Sequence, residues 1–274
     1  MFAWNSFFRG LLSLLFFLPG LLHVSGQVGR TVFWEGRSCA VVLTYDDARD
    51  DHLDVVIPML DSAGLRGTFY LPGNSVSLYR RLDEWRAAAA EGHELGNHTL
   101  FHPCYGEKDG KKRAWVKADY DLLRYSLQRY LDEVRVDNTL LKAIDGKEKR
   151  TFAYSCGETV VAGRPLPPEV KRYCVAARGT RRGLNDPGDL DLYDLKVFSI
   201  NSTPFDTLVA RIRQAEEEGA LLIFLMHGVG RGTPYSLSVE DHRRLVNYLA
   251  SRRETVWVAP LREIAGYLKE KKRP

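Results

Sequence analysis

The chain has 274 residues, 45% of them hydrophobic and 27% charged, enough to bury one substantial core and demanding no second domain. Its 39 basic and 35 acidic residues give a net charge of only +4, and without an aromatic-interleaved basic stripe that balance argues against a nucleic-acid partner. Residues 1–26 carry Arg9 and then the apolar run from Leu11 to Leu22, which is long enough for a signal-peptide core and short for a membrane span. Small residues at Ser25 and Gly26 permit cleavage; left uncleaved, the same segment is a membrane anchor and the one route to membrane contact. Either reading makes the protein secreted, periplasmic or envelope-associated, with residues 27–274 forming a single domain.

The first strand expected is Cys39 to Thr44, an unbroken apolar run of the kind covered on both faces, ending abruptly at Asp46 and Asp47. Residues 51–63 then place Leu53, Val56, Ile57 and Leu60 on one helical face, with Pro58 kinking or fraying the first half. A strand from Gly67 to Leu71 follows, then a helix from Leu82 to Glu91 and a short strand from Gly92 to Gly96. Residues 105–113 read as a polar loop, in which Lys108, Lys111, Lys112 and Arg113 are solvated. The apolar spacing of Leu122, Leu123, Leu127 and Leu131 predicts a helix from Trp115 to Val134. Short strands are expected at Thr151–Tyr154 and Tyr173–Ala177, a loop at Gly179–Asp191 and a strand at Leu195–Ile200. A helix from Pro204 to Glu218 closes at Gly219. The run Ala220 to Met226 delivers His227 at its end. Ser238 opens a helix over 239–250, a last strand spans Thr255–Ala259, and a short helix precedes the charged tail. This alternation over about 220 residues predicts an α/β fold, either a barrel or an open parallel sheet.

Asp46, His98, Tyr154 and His227 all follow strand-like runs, where one rim of such a fold gathers chemistry. Asp47 offers an oxygen, and His98 and His102 two nitrogens. Two histidines and a carboxylate leave a fourth position open for water on zinc or another transition metal. The four-residue spacing of the histidines suits one helical turn, though a loop serves as well, and Pro103 ends any helix there. Adjacent carboxylates repel and need a cation between them or a proton on one; Asp47 on a metal and Asp46 facing its water resolve the conflict. Four cysteines, Cys39, Cys104, Cys156 and Cys174, contain no CxxC; in an exported chain they allow one or two disulfides, with Cys104 and Cys156 near the site.

At these residues the sequence resembles the polysaccharide deacetylases that share the NodB-homology domain, carbohydrate esterase family four. Their Thr-Phe-Asp-Asp-Gly motif is here Thr44-Tyr45-Asp46-Asp47-Ala48, and their His-Ser/Thr-x-x-His motif is His98-Thr99-Leu100-Phe101-His102. Phe152-Ala153-Tyr154-Ser155-Cys156-Gly157 is similar to a variant of the third motif, with no arginine where many members carry one. The run ending at His227 matches the last motif. For the fourth motif, Asp191 and Asp194 keep the acid spacing without the tryptophan; they either orient His227 or form a polar strand entrance. The resemblance implies a distorted, incomplete (β/α) barrel and a divalent metal, zinc in the first instance, held by Asp47, His98 and His102. It further implies Asp46 as catalytic base, His227 as general acid, and an oxyanion position at a backbone N–H near Tyr154. The expected activity is removal of N-acetyl groups from an acetylated glycan; the alternatives are an O-acetyl esterase and a catalytically weak carbohydrate-binding homologue.

Overall fold

The computed structural model describes residues 1–2, 33–230 and 234–271, of which those from Phe33 onward belong to one unit. Beyond its first two residues, the export or anchor segment read from residues 1–26 lies outside the described residues. No described helix is long and apolar enough to cross a membrane.

Seven parallel strands close into a barrel: β1 (Cys39–Asp46), β2 (Thr68–Leu71), β3 (Glu94–Asn97), β4 (Thr151–Ala153), β5 (Ala176–Arg182), β6 (Leu195–Ser199) and β7 (Leu221–Met226). Closure comes from β7 pairing back onto β1, Ala40 with Leu221 through Tyr45 with Met226. An eighth strand, β8 (Val256–Val258), takes the lower part of the β1 edge at Cys39–Val41, while β2 takes the upper part at Thr44–Asp46.

Side chains alternate across each strand, so parity decides what faces inward. On β1, Val41, Leu43 and Tyr45 join Val56, Leu60, Phe69 and Leu245 in the layer between strands and outer helices. Ala40 and Val42 join Tyr70, Ala153, Ala176, Val197, Ile223 and Leu225 in a second cluster filling the barrel. The inward rows continue two residues further at the carboxyl ends: Val42 to Thr44 and Asp46, Ala176 to Arg178, Leu225 to His227. The barrel therefore delivers polar groups from different strands to one mouth.

Several elements differ from the expectations. The helix expected over Trp115–Val134 begins instead at Leu127 and runs to Asp145; Ser126 caps it by accepting the Arg129 N–H, and the stretch before it forms two short turns, Ala118–Tyr120 and Leu122–Arg124. Pro58 stands near the start of the regular helix Ile57–Ser62, and the turn before it, His52–Val56, is widened to π geometry. The polar loop 105–113 contains an antiparallel ribbon, Glu107–Lys108 with Lys111–Lys112. β5 extends through Arg182, well into the segment read as loop. The helices Phe205–Glu218, ended by Gly219 in the left-handed region, and Val239–Ser251, capped by Ser238, follow their capping signals.

Candidate metal centre

β1 ends at Asp46, and the chain turns sharply there: Asp47 and Ala48 both take positive φ, 81° and 46°. This turn sends the two adjacent carboxylates to different places. Asp46 stays buried above the barrel interior while Asp47 is partly exposed at the mouth. The position where relatives of this motif carry glycine does demand left-handed backbone, and Ala48 holds it against the usual steric preference.

His98 and His102 lie on a loop after β3 and not on a helical turn. Thr99 and His102 themselves have positive φ. Asn97 Oδ1 accepts the Thr99 N–H at 2.8 Å, Thr99 Oγ1 accepts the His102 N–H at 2.9 Å, and Glu133 accepts the Phe101 N–H at 3.2 Å. These bonds replace a helical ladder and set the imidazoles 4.6 Å apart, centroid to centroid. The buried His98 ring donates from Nδ1 to the Ala153 carbonyl at 2.8 Å, which leaves Nε2 as the lone-pair nitrogen facing the mouth. Burial, then the neighbouring His102, pull this imidazole down to about 4, so it is neutral near pH 7.

His98 Nε2 is 3.7 Å and His102 Nε2 3.5 Å from Asp47 Oδ1, and the three ligand atoms lie within 4.8 Å of one another. Donor atoms bound at about 2.1 Å to one tetrahedral ion stand about 3.4 Å apart, so the donor set fits a divalent metal in both chemistry and spacing. Cys104 and Cys156 also approach His102, but they are joined as a disulfide and offer no thiolate. The two other cysteines, Cys39 and Cys174, are free and buried.

The residue that sequence reading missed is Arg178. No arginine occupies the third motif, yet Arg178 on β5 reaches across the barrel and donates to the Asp46 carboxylate, and also to Thr44 Oγ1 at 3.4 Å. Its guanidinium lies 4.6 Å over the Tyr70 ring. The ring in turn occupies the space a Cβ on Gly96 would need, 2.5 Å away, so glycine at that point of β3 is what admits it. Burial alone would push the Asp46 carboxyl up; Arg178 first, then His98 and His227, outweigh it and hold the group below the ordinary aspartate value.

His227 follows β7, the strand paired with β1, and so emerges beside Asp46; it is partly buried, with Nδ1 without a hydrogen-bond partner among the described residues. Neither acid of the expected fourth motif bonds to it: Asp194 pairs with Arg181 at 2.6 Å and Asp191 accepts the Tyr193 N–H at 2.8 Å. Its backbone is held from elsewhere. The buried His52 accepts the Arg49 N–H on Nδ1 and donates from Nε2 to the His227 carbonyl at 2.5 Å; Asp51 accepts the Val229 N–H at 2.7 Å. Tyr154 borders the cavity, but its side chain donates to the Tyr193 carbonyl and its own N–H to the Arg178 carbonyl. That N–H is therefore already engaged.

These groups share one cavity of about 790 Å³, with Asp46, Asp47, His98, His102, Arg178 and His227 at its floor. Its walls include Lys111 and Arg113, so the basic ribbon read as a solvated loop borders the mouth.

Comparison with known proteins places this architecture. Residues 35–162 match the family model described as polysaccharide deacetylase. A gellan lyase from a Bacillus species is 28% identical over 164 residues, 60% of this chain but only 6% of that protein's length. A polysaccharide deacetylase structure from Mycobacterium smegmatis superposes with a TM-score of 0.62 at 15% identity, covering 87% of this chain and 93% of the other. A peptidoglycan deacetylase from Bacillus subtilis does so with a TM-score of 0.53 at 15% identity, covering 85% and 93%. The two structures share the fold. The match over 35–162, the motif residues gathered at one mouth and the distorted barrel continuing beyond them make the chain similar to the polysaccharide deacetylases in fold and in the arrangement of its site.

Proposed function

We propose that the protein is a metal-dependent hydrolase that removes N-acetyl groups from a glycan and releases acetate. The observation that carries this reading is the convergence of Asp47, His98 and His102 beside a buried, arginine-paired Asp46. Asp47, His98 and His102 would hold a divalent ion, zinc by its preference for two nitrogens and one oxygen in a tetrahedral set. When bound, such an ion polarises the acetyl carbonyl and acidifies water.

Asp46 then serves as the base. Kept ionised by Arg178, it takes a proton as water attacks the acetyl carbon. His227, at the end of the neighbouring strand β7, donates a proton to the departing sugar nitrogen; the C–N bond breaks, leaving acetate and a free amine. The buried ring of His98, fixed by Ala153, keeps its ligand lone pair aimed without being consumed in proton transfer. With the Tyr154 N–H engaged in the barrel, that residue shapes the wall, and charge stabilisation at the acetyl oxygen would be part of the chemistry a bound ion supplies. The export segment is part of this proposal, since it would bring the site to envelope or extracellular glycans.

Acetate release from a panel of N-acetylated and O-acetylated glycans tests the reading and separates amide from ester chemistry. Activity should require added divalent metal and disappear in Asp46→Ala; full activity in Asp46→Ala would reject the assigned base. Metal content of His98→Ala and His102→Ala checks the ligands, and unchanged occupancy in both would reject the triad.

A further inference from the structure

The cavity walls differ in charge from its floor. Among the described residues lining it, the carboxylates are Asp46 and Asp47, both engaged at the floor, whereas Arg49, Lys111 and Arg113 stand on the walls. Arg49 is paired with Asp51 at 3.2 Å. Arg113 shares the nearly buried Glu158 with Lys108, each at 2.9 Å, so two cations meet one carboxylate and one positive charge is left over. Lys111, on the ribbon two residues before Arg113, makes no ion pair among the described residues. It therefore adds a second cation to the lining that no carboxylate of the lining pairs.

The ribbon is held in place. Lys108 and Arg113 grip Glu158, the Glu107–Lys112 and Lys108–Lys111 pairs fix its two strands, and the Cys104–Cys156 disulfide joins the segments leading into both partners. The cations thus stand on a positioned wall where the concave surface concentrates their field. Trp115 and Tyr235, each 62% exposed, present aromatic faces on the lining of the same cavity. Rings left bare on a cavity wall suit the apolar faces of sugar rings. A neutral acetylated polymer would use the rings and leave the two charges without a counterpart.

We infer that the substrate is an acidic glycan, in which a carboxylate on a sugar near the acetylated residue is received by Lys111 and Arg113 while Trp115 and Tyr235 stack on the sugar rings. This inference rests on the deacetylase reading and narrows its substrate class.

The probes are oligosaccharides alternating glucuronate with N-acetylglucosamine, and the same oligosaccharides with every carboxylate reduced to an alcohol. Metal-loaded enzyme should show kcat/KM about tenfold higher on the acidic form at low salt, chiefly through KM, with the advantage shrinking as ionic strength rises. Lys111→Glu should bring the ratio between the two forms to about one, and Lys111→Arg should restore it. Calorimetric binding to metal-loaded Asp46→Asn tests the inference without turnover: tighter binding of the acidic form supports it, and equal or absent binding of both overturns it. Preferential binding of the acidic form with no acetate released by the wild type would keep the inference and reject the deacetylase reading. Acetate release at equal rates from both forms would do the reverse.

Discussion

Arg178 and Asp46 face each other from opposite sides of the barrel, and their hydrogen-bonded ion pair is buried on both partners. A lone buried carboxylate would tend to take up a proton; this one is held ionised by a cation two residues beyond the inward-facing Ala176. Arg178→Met should lower acetate release by about a hundredfold and destabilise the fold by about 3 kcal/mol, because it leaves the carboxylate buried without its partner. Arg178→Lys should recover part of the stability and less of the activity, since an ammonium cannot reproduce the planar donor geometry. Steady-state kinetics and denaturant unfolding on the same preparations would check both; wild-type kcat in Arg178→Met would contradict this role.

His52 makes a different kind of prediction because it touches no reacting atom. Its Nε2–H holds the carbonyl of His227, and its ring packs among Tyr45, Phe69 and Trp85. His52→Leu keeps much of the packing and removes the bond, which should cost about tenfold in kcat with KM and metal content unchanged. If His52 were a packing residue only, folded His52→Leu protein would turn over at the wild-type rate.

Ala48 offers a gain. Its φ of 46° is a left-handed conformation that a Cβ disfavours, so Ala48→Gly should relieve strain by about 1 kcal/mol, offset in part by the greater freedom of glycine when unfolded. The melting temperature should rise slightly or hold. A clear fall would show that the Ala48 methyl group, almost fully buried, contributes more through packing than the backbone loses.

Acid should weaken the fold through His242. This ring is buried between Tyr45, whose hydroxyl meets Nε2 at 2.8 Å, and Met59 at Nδ1, with His52 nearby. Burial first, then His52, depress it from 6.5 to about 4. The unfolded chain takes up this proton at higher pH than the folded one, so the stability present above pH 6.5 is lost as pH falls toward 4, by about 3 kcal/mol in all. Urea unfolding between pH 7 and pH 4 should show that slope, and His242→Gln should flatten it. Some slope should persist, since burial lowers His52 as well.

Much of the barrel was legible because its strands are short apolar runs ending in polar residues. β1 and β7 announce themselves this way, and so do the positions of Asp46 and His227. Arg178 escaped because a charged residue followed by glycine looks like the end of a strand. Only closure of the barrel, which makes that row of β5 interior, shows where its guanidinium goes. The Trp115–Val134 helix was misplaced for a related reason: leucines at helical spacing continue through Leu122 and Leu123, but Asp121 accepts the Leu123 N–H and Ser126 restarts the chain. The ribbon at Glu107–Lys112 carries no apolar alternation, so its pairing and its place beside the cavity depend on contacts with Glu158 that lie far along the chain.

The division of the β1 edge has a mechanical consequence. β8 grips only Cys39–Val41, while β2 grips Thr44–Asp46 and β7 runs alongside Ala40–Tyr45. Fraying that begins at β8 and the Leu261–Lys271 helix would loosen the lower end of the strand and leave its upper end clamped on both sides. The carboxylates at that upper end are thereby insulated from the seam, and on heating the polar mouth should outlast the base on which the last strand rests.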